Sequence, residues 1–132
     1  MKLTIDSIQY INLFEQLTKT NVKGFFPNSH LIFIVQEGHI SRAIGKNGIN
    51  VKRIEELIRK KIKIVEYSKD PLIFVKNLIL PLKIKKISVY DNNIEVNADT
   101  GAKALLIGRN SQNLIHLNNI IKNYFNLTLK IK

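Results

Sequence analysis

The chain has 132 residues, and its 21 lysine and arginine residues against 10 aspartate and glutamate residues give it a formal net charge of +11 at pH 7. A field of this sign attracts polyanions, of which nucleic acid is the commonest and an anionic membrane surface is the other candidate. The chain contains no cysteine, which excludes disulfides, thiolate metal sites and a cysteine nucleophile.

The hydrophobic content, 45% of the residues, is enough for one ordinary core or two small ones. The apolar character of the first eleven residues is interrupted by Lys2, Asp6, Gln9 and Tyr10, so we expect no signal peptide. No uncharged apolar run reaches the roughly 18 residues that a membrane-spanning helix requires. We therefore expect a cytoplasmic protein with no membrane partner.

The first half of the chain predicts a helix, two strands, a short helical turn, a longer helix and a last strand. Apolar residues from Ile5 to Leu17 recur at helical intervals, whereas continuous apolar runs flank a turn at residues 27–29. The helix that follows Gly48 has Val51, Ile54 and Ile58 on one face. The other predicted elements are a helix over 4–18, strands over 22–26 and 31–35, a turn over 40–44 and a strand over 62–67.

The second half predicts the same order of elements. Asp70 and Pro71 are a good helix start, because Asp can cap a helix and Pro suits its first position. This helix should end near residue 80, before Pro81. A tight hairpin turn is expected at residues 91–93. The remaining predictions are strands over 84–90 and 94–98, helices over 101–107 and 111–124, and a strand over 127–131.

An internal repeat relates the two halves at a shift of 63 residues. The run from Ile44 to Asn47 falls on the run from Ile107 to Asn110, with Lys46 on Arg109. We infer two copies of one α+β fold, with a first domain over 1–68 and a second over 69–132. The shift also superposes Gly38 on Gly101, Val51 on Leu114, Ile54 on Leu117, Ile58 on Ile121, Ile62 on Phe125 and Ile64 on Leu127.

The glycine loop Gly45-Lys46-Asn47-Gly48 is the first candidate binding site. Glycine lets the backbone turn sharply and leaves no side chain in the way of a ligand. The helix that follows directs its free N–H groups and the positive end of its dipole toward the loop, and Lys46 adds a cation. This arrangement favours the phosphates of an extended single strand of nucleic acid, as in the loop with which KH domains clamp about four nucleotides.

The residues around both loops resemble the archaeal NusA-like proteins. Residues 38–48 and 50–55 are similar to the first KH domain of that family, residues 65–68 and 70–71 to its junction, and residues 107–113 to its second KH loop. The resemblance implies two tandem type II KH domains, each a three-stranded sheet packed against helices, that share one RNA-binding face. It also implies a role in transcription elongation, termination or antitermination. The partners it implies are single-stranded RNA and RNA polymerase or its elongation complex.

Candidate RNA-binding residues follow from the two loops. We predict Lys46 and Arg109 as the principal phosphate contacts and Asn47 and Asn110 as contacts to phosphate or sugar. The fourth position of the second loop is Ser111, which we expect to cap the next helix while losing the conformational freedom of glycine. The other candidates are Gly45, Gly48, Gly108, Arg42, Lys52, Arg53 and Lys103. For the cations after Gly48, the alternative is a solvated helix face that Glu55 and Glu56 partly neutralise.

Catalytic and metal sites are not expected. The spacing between Gly38 and Gly45-Lys46 does not match a nucleotide-hydrolase phosphate loop. The three histidines, His30, His39 and His116, lack ligand-like spacing; we expect His30 in a hairpin turn and the others on helix surfaces. We therefore predict no cofactor, no metal and no enzyme activity. Two alternatives stay open at this point, a ribosome-associated or ribosome-assembly factor and an RNA-processing enzyme.

Overall fold

The computed structural model describes residues 4–132. Part of the amino-terminal segment weighed above as a signal peptide, residues 1–3, lies outside the described residues. The chain forms two compact units that divide between Ser68 and Lys69. Among the described residues, no helix has both the length and the apolar character needed to cross a bilayer.

The first unit has the order helix, strand, strand, helix, helix, strand. Its sheet has the strand order β1-β2-β3, with β1 antiparallel and β3 parallel to the central strand. A parallel third strand needs a crossover connection, and the two short helices between β2 and β3 supply it. The elements are α1 (Ile5–Thr18), β1 (Val22–Pro27), β2 (Leu31–Val35), α2 (Ile40–Ile44), α3 (Ile49–Ile58) and β3 (Ile62–Glu66).

The core of the first unit is aromatic. Phe14 of α1 stacks on Phe33 of β2 with ring centroids 4.3 Å apart, and Phe25 of β1 lies 5.0 Å from Phe33. Ala43 and Ile54 of the two crossover helices belong to the same buried cluster. The loop between those helices is therefore held from beneath by packing against the sheet.

The second unit repeats this topology, with strand order β4-β5-β6 and the same antiparallel and parallel pairings. Asp70 caps its first helix through Leu72 N–H at 2.9 Å, and Pro71 occupies the first helical position as predicted. Asp91 and Asn92 form the hairpin turn with φ values of 49° and 63°, the pattern of a type I′ turn. The elements are α4 (Pro71–Ile79), β4 (Lys86–Tyr90), β5 (Asn93–Asn97), α5 (Thr100–Ile107), α6 (Gln112–Lys122) and β6 (Thr128–Ile131).

The shift of 63 residues is correct around the loops and wrong after them. Leu31 pairs with Ile62 in the first sheet, whereas Ile94, its counterpart at that shift, pairs with Leu129. The second unit therefore has four more residues before its last strand, and Ile62 corresponds to Leu129 rather than to Phe125. Phe125 instead lies 5.7 Å from the ring of Phe74, so the extra residues bring an aromatic side chain into the second core.

The superposition of Gly38 on Gly101 is also without structural basis. Gly38 has a φ of +87° in the turn before α2, but Gly101 lies in the first turn of α5. The reason is that α5 has eight residues and α2 only five. Asp99 caps the longer helix by accepting the N–H of Ala102 at 2.8 Å.

In each unit, a side chain of the second crossover helix, α3 or α6, forms a hydrogen bond to the start of the last strand. The Glu55 Oε2 atom accepts the N–H of Ile62 at 2.9 Å, and the Asn118 Oδ1 atom accepts the N–H of Leu129 at 2.7 Å. Glu55 is also 3.8 Å from the Lys61 ammonium, and its side chain is only 22% exposed. Glu55 therefore does more than neutralise charge on a solvated helix face, since its carboxylate positions the start of β3.

Candidate nucleic-acid interface

Each unit has a single 3-10 turn between its two crossover helices, and the glycine that opens this turn is required by geometry. Gly45 has φ 78° and ψ 167°, and Gly108 has φ 75° and ψ 175°, a region that is essentially restricted to glycine. A Cβ atom on Gly45 would lie 2.9 Å from the Asn50 Nδ2 atom, and one on Gly108 would lie 2.8 Å from the Asn113 Cβ atom. A side chain would be strained at both positions by the backbone angles, and at Gly108 it would also lie 3.0 Å from the backbone nitrogen of Asn113.

The asparagines at the third loop position have a backbone role that the sequence reasoning missed. Asn47 has φ 56° and ψ 26°, and Asn110 has φ 55° and ψ 33°. This left-handed conformation is one that asparagine tolerates better than most residues. The residue type is thus explained by the turn itself, and contact of these amides with phosphate or sugar stays a prediction.

The fourth loop position does not need glycine in the same way. Gly48 has φ 72° and ψ 22°, and nothing lies within 4 Å of a Cβ atom built there. Ser111 adopts nearly the same conformation, with φ 61° and ψ 16°, and its hydroxyl makes no capping hydrogen bond. The expectation that Ser111 caps α6 through its side chain is therefore wrong, because a capping side chain needs an extended backbone at that position.

A second pair of asparagines fastens the two crossover helices together. The Asn50 Nδ2 atom donates to the carbonyl of Arg42 at 3.1 Å. The Asn113 Nδ2 atom donates to the carbonyls of Leu105 at 3.2 Å and Leu106 at 2.9 Å. These bonds satisfy carbonyls at the end of the first helix and fix the opening of the loop. In the sequence, Asn50 and Asn113 occupy equivalent positions of the 63-residue repeat, which could have pointed to this shared role.

The first loop carries the denser positive charge. Lys46, Asn47, Ile49 and Lys52 line a shallow, open depression beside the loop, and both lysines are exposed. Two of the predicted contacts, Lys46 and Lys52, are therefore brought together. Arg53 is exposed on α3 but does not line the depression.

Arg42 has a structural contact in addition to its charge. Its Nη1 atom donates to the carbonyl of Lys19 at 3.3 Å, and Lys19 is the residue that ends α1 in a left-handed conformation. One donor of the guanidinium therefore ties α2 to the end of α1. The side chain is exposed, so its positive charge still faces solvent near the loop.

The second loop has fewer cations around it. Arg109 is exposed and Lys103 is half-buried on α5. At the loop's shift of 63 residues, the positions of Arg42, Lys52 and Arg53 are occupied by Leu105, Ile115 and His116. The two loops thus share a backbone but differ in their electrostatics.

The three histidines do not form a metal site. Within residues 4–132, no group of three or more histidine, aspartate or glutamate side chains is arranged to hold a metal ion. His30 is exposed in the hairpin turn, as expected. His39 and His116 are less exposed than expected, because each has one buried ring nitrogen without a hydrogen-bond partner in the described structure. Burial lowers the pKa of His116 below its ordinary value.

A family model described as KH domain matches residues 9–87, more than half of the chain. The chain belongs to the KH-domain family. This match covers most of the first KH unit and reaches into β4 of the second. Since the second unit has the same order of elements and the same sheet pairings, the prediction of two tandem type II KH domains in an α+β fold is confirmed.

The chain is also similar to archaeal proteins that share one name. The chain is 32% identical over 137 residues to "Probable transcription termination protein NusA" of Methanocaldococcus jannaschii, covering all of this chain and 74% of that protein. It is 39% identical over 90 residues to the protein of the same name from Methanococcus vannielii, where the match covers 67% of this chain and about half, 52%, of the relative. The predicted resemblance to archaeal NusA-like proteins is confirmed.

A solved structure supports the same fold. The crystal structure of APE1850 superposes with a TM-score of 0.74 at 28% identity, covering 98% of this chain and 100% of that one. The superposition extends across both KH units. The two-unit architecture of this chain is therefore also that of a solved protein.

Proposed function

We propose that this protein is a NusA-like transcription termination or antitermination factor that binds single-stranded RNA and is not an enzyme. In this proposal the domains over 1–68 and 69–132 each present one RNA-binding loop. The name of the archaeal relatives favours a transcription role over the ribosome-assembly and RNA-processing alternatives. Action on nascent transcripts would place the protein in the cytoplasm, with RNA polymerase or its elongation complex as a second partner.

The observation that carries the proposal is the repetition of one specialised loop in two KH units. Gly45 and Gly108 hold the backbone open, and each is followed by a cation, Lys46 or Arg109. The free N–H groups at the start of α3 and α6, together with these cations, favour a phosphate beside each loop. A loop of this shape is the part of a KH domain that clamps the backbone of single-stranded RNA.

The electrostatics support phosphate as the ligand of the first loop. The depression lined by Lys46 and Lys52 is open to solvent, so an extended strand can lie across it. Within residues 4–132 neither Lys46 nor Lys52 forms an ion pair with a carboxylate, and Glu55 is engaged with Ile62 and Lys61. The positive charge of the depression is therefore available to RNA.

The test is binding of a labelled single-stranded RNA of about 12 nucleotides, enough for two KH clamps of about four nucleotides each with a connecting stretch. The loop variant combines Lys46→Asp, Asn47→Asp, Arg109→Asp and Asn110→Asp. We expect it to lose most of the affinity of the wild type, because negative charge then lies where phosphates bind.

A matched control removes the same six units of charge away from the loops. It combines Lys60→Asp, Lys69→Asp, Asn12→Asp and Asn126→Asp, all at exposed positions. Circular dichroism confirms that each variant is folded. Equal losses in the loop variant and the control would show that RNA responds only to net charge, and the proposal would then fail.

A further inference from the structure

The two loops present different side chains on the same backbone. The residue after the loop has φ −60° and ψ −38° at Ile49 and φ −63° and ψ −39° at Gln112, and the preceding loop angles also agree closely. Side chains at equivalent positions therefore leave the backbone in the same direction. The equivalent pairs beside the loop are Lys46 and Arg109, Ile49 and Gln112, and Lys52 and Ile115.

The first set carries positive charge but no planar hydrogen-bonding group. Lys46 and Lys52 carry ammonium groups, which act on phosphate as point charges. Ile49, 49% exposed, has no hydrogen-bonding atom. Asn47, which also lines the depression, has its counterpart in Asn110 and so does not distinguish the two loops. Apart from that shared amide, the first set offers contacts to phosphate and no paired donor and acceptor for a base edge.

The second set contains such groups. The Gln112 amide offers a donor and an acceptor side by side, the arrangement that makes paired hydrogen bonds to a base edge. The planar Arg109 guanidinium can stack on a base or bind it with two bonds. Within residues 4–132 neither of these side chains has a hydrogen bond or an ion pair, so their hydrogen-bonding groups are free for a ligand.

Ile115 completes this surface with an apolar face. It lies three residues after Gln112 on α6, so the two side chains project from the same side of the helix. Its side chain is 57% exposed, and it stands where the first unit has the charged Lys52. The exchange of a cation for an exposed apolar group removes a phosphate contact and supplies a surface for the face of a base.

We infer that Gln112 and Ile115 are specificity-determining residues for RNA binding, and that the second loop recognises a base while the first holds phosphates. This inference rests on the proposed RNA-binding function. It assigns the sequence preference of the protein to α6 and its dependence on salt mainly to α3.

Exchange of the two side-chain sets tests the inference. One variant carries Gln112→Ile and Ile115→Lys, and the reciprocal variant carries Ile49→Gln and Lys52→Ile; all four positions are exposed. Binding is measured by fluorescence anisotropy at several salt concentrations with three RNAs of about 12 nucleotides, composed only of adenine, only of uracil or only of cytosine nucleotides. Gln112→Ile alone is the control that changes no charge.

We expect the wild type to prefer one RNA over the poorest by about ten-fold, the order of one paired base contact. Gln112→Ile with Ile115→Lys should reduce this preference to less than about two-fold and make the log–log salt slope steeper by about 0.7, because one phosphate contact is added. Gln112→Ile alone should weaken the preference without changing the slope. The reciprocal variant should make the slope shallower by about 0.7 and keep the preference.

Two results would overturn the inference while RNA binding itself stands. One is a wild type that binds the three RNAs equally, and the other is a preference that survives Gln112→Ile with Ile115→Lys. If the folded wild type binds none of the RNAs, the proposed function itself fails and the inference fails with it.

Discussion

Substitution of Gly45 by alanine should destabilise the first unit far more than the same change at Gly48. At Gly45 the backbone lies at φ 78° and ψ 167°, where a residue other than glycine costs about 1–3 kcal/mol. The new methyl group would also meet the Asn50 amide at 2.9 Å and break its bond to the Arg42 carbonyl, a further loss of about 1 kcal/mol. The lower entropy of the unfolded alanine chain offsets about 0.5–1 kcal/mol of this cost, so we expect a net loss of about 1–3.5 kcal/mol.

The change Gly48→Ala is the matched control. Its φ of 72° and ψ of 22° cost about 1–2 kcal/mol for an L-residue, and the lower entropy of the unfolded alanine chain returns about 0.5–1 kcal/mol. No atom lies within 4 Å of the added methyl group, so we expect a net cost near or below about 1 kcal/mol.

Urea unfolding followed by circular dichroism measures both variants. A unit of this size has a total stability of only about 3–10 kcal/mol, so Gly45→Ala should lower the unfolding midpoint clearly or unfold the first unit. Equal midpoints for Gly45→Ala and Gly48→Ala would refute the argument from loop geometry.

Three further predictions follow from single contacts. Asn118→Ala should cost about 1–3 kcal/mol because the N–H of Leu129 loses its acceptor; hydrogen exchange at Leu129 should quicken, while Asn119→Ala should leave it unchanged. Burial lowers the pKa of His116 from 6.5, so the folded state favours the neutral ring and the free energy of unfolding should fall as the pH drops below about 6.5. The variant His116→Gln should lose that part of the pH dependence, and an unaltered pH profile in urea titrations would contradict this assignment. Lys52→Gln should make the log–log salt slope of RNA binding shallower by about 0.7, whereas Lys60→Gln should leave the slope as it is.

The roles of the two loop glycines explain why a four-residue loop motif can vary at one end only. The first glycine is excluded from change by its backbone angles and by the asparagine packed against it. The last position requires only a left-handed backbone with open space around it, and serine meets that requirement in the second unit. The clamp can therefore keep its shape while the residues beside it change their chemistry.

The order of elements could be predicted from sequence because the periodicity of apolar residues is a local property of the chain. Apolar residues recur at helical spacing in residues 4–18, and they alternate or run continuously in the strands. Both patterns depend only on which face of the element must be buried. The loops could be found for a related reason. A repeated glycine followed by a cation is visible at a fixed shift, and the start of α4 could be read from Asp70 and Pro71 alone.

What only the tertiary structure decided were the pairings between residues distant in sequence. The register of β6 against β5 corrected the repeat by four residues, since strand pairing and not sequence similarity sets that correspondence. The capping expectation for Ser111 was wrong, because its backbone is left-handed where a cap is extended. The structure also showed that Glu55 accepts the N–H at the start of β3. Asn50 and Asn113 donate to carbonyls of the preceding helix. Such roles depend on which backbone group lies within reach of a side chain after folding.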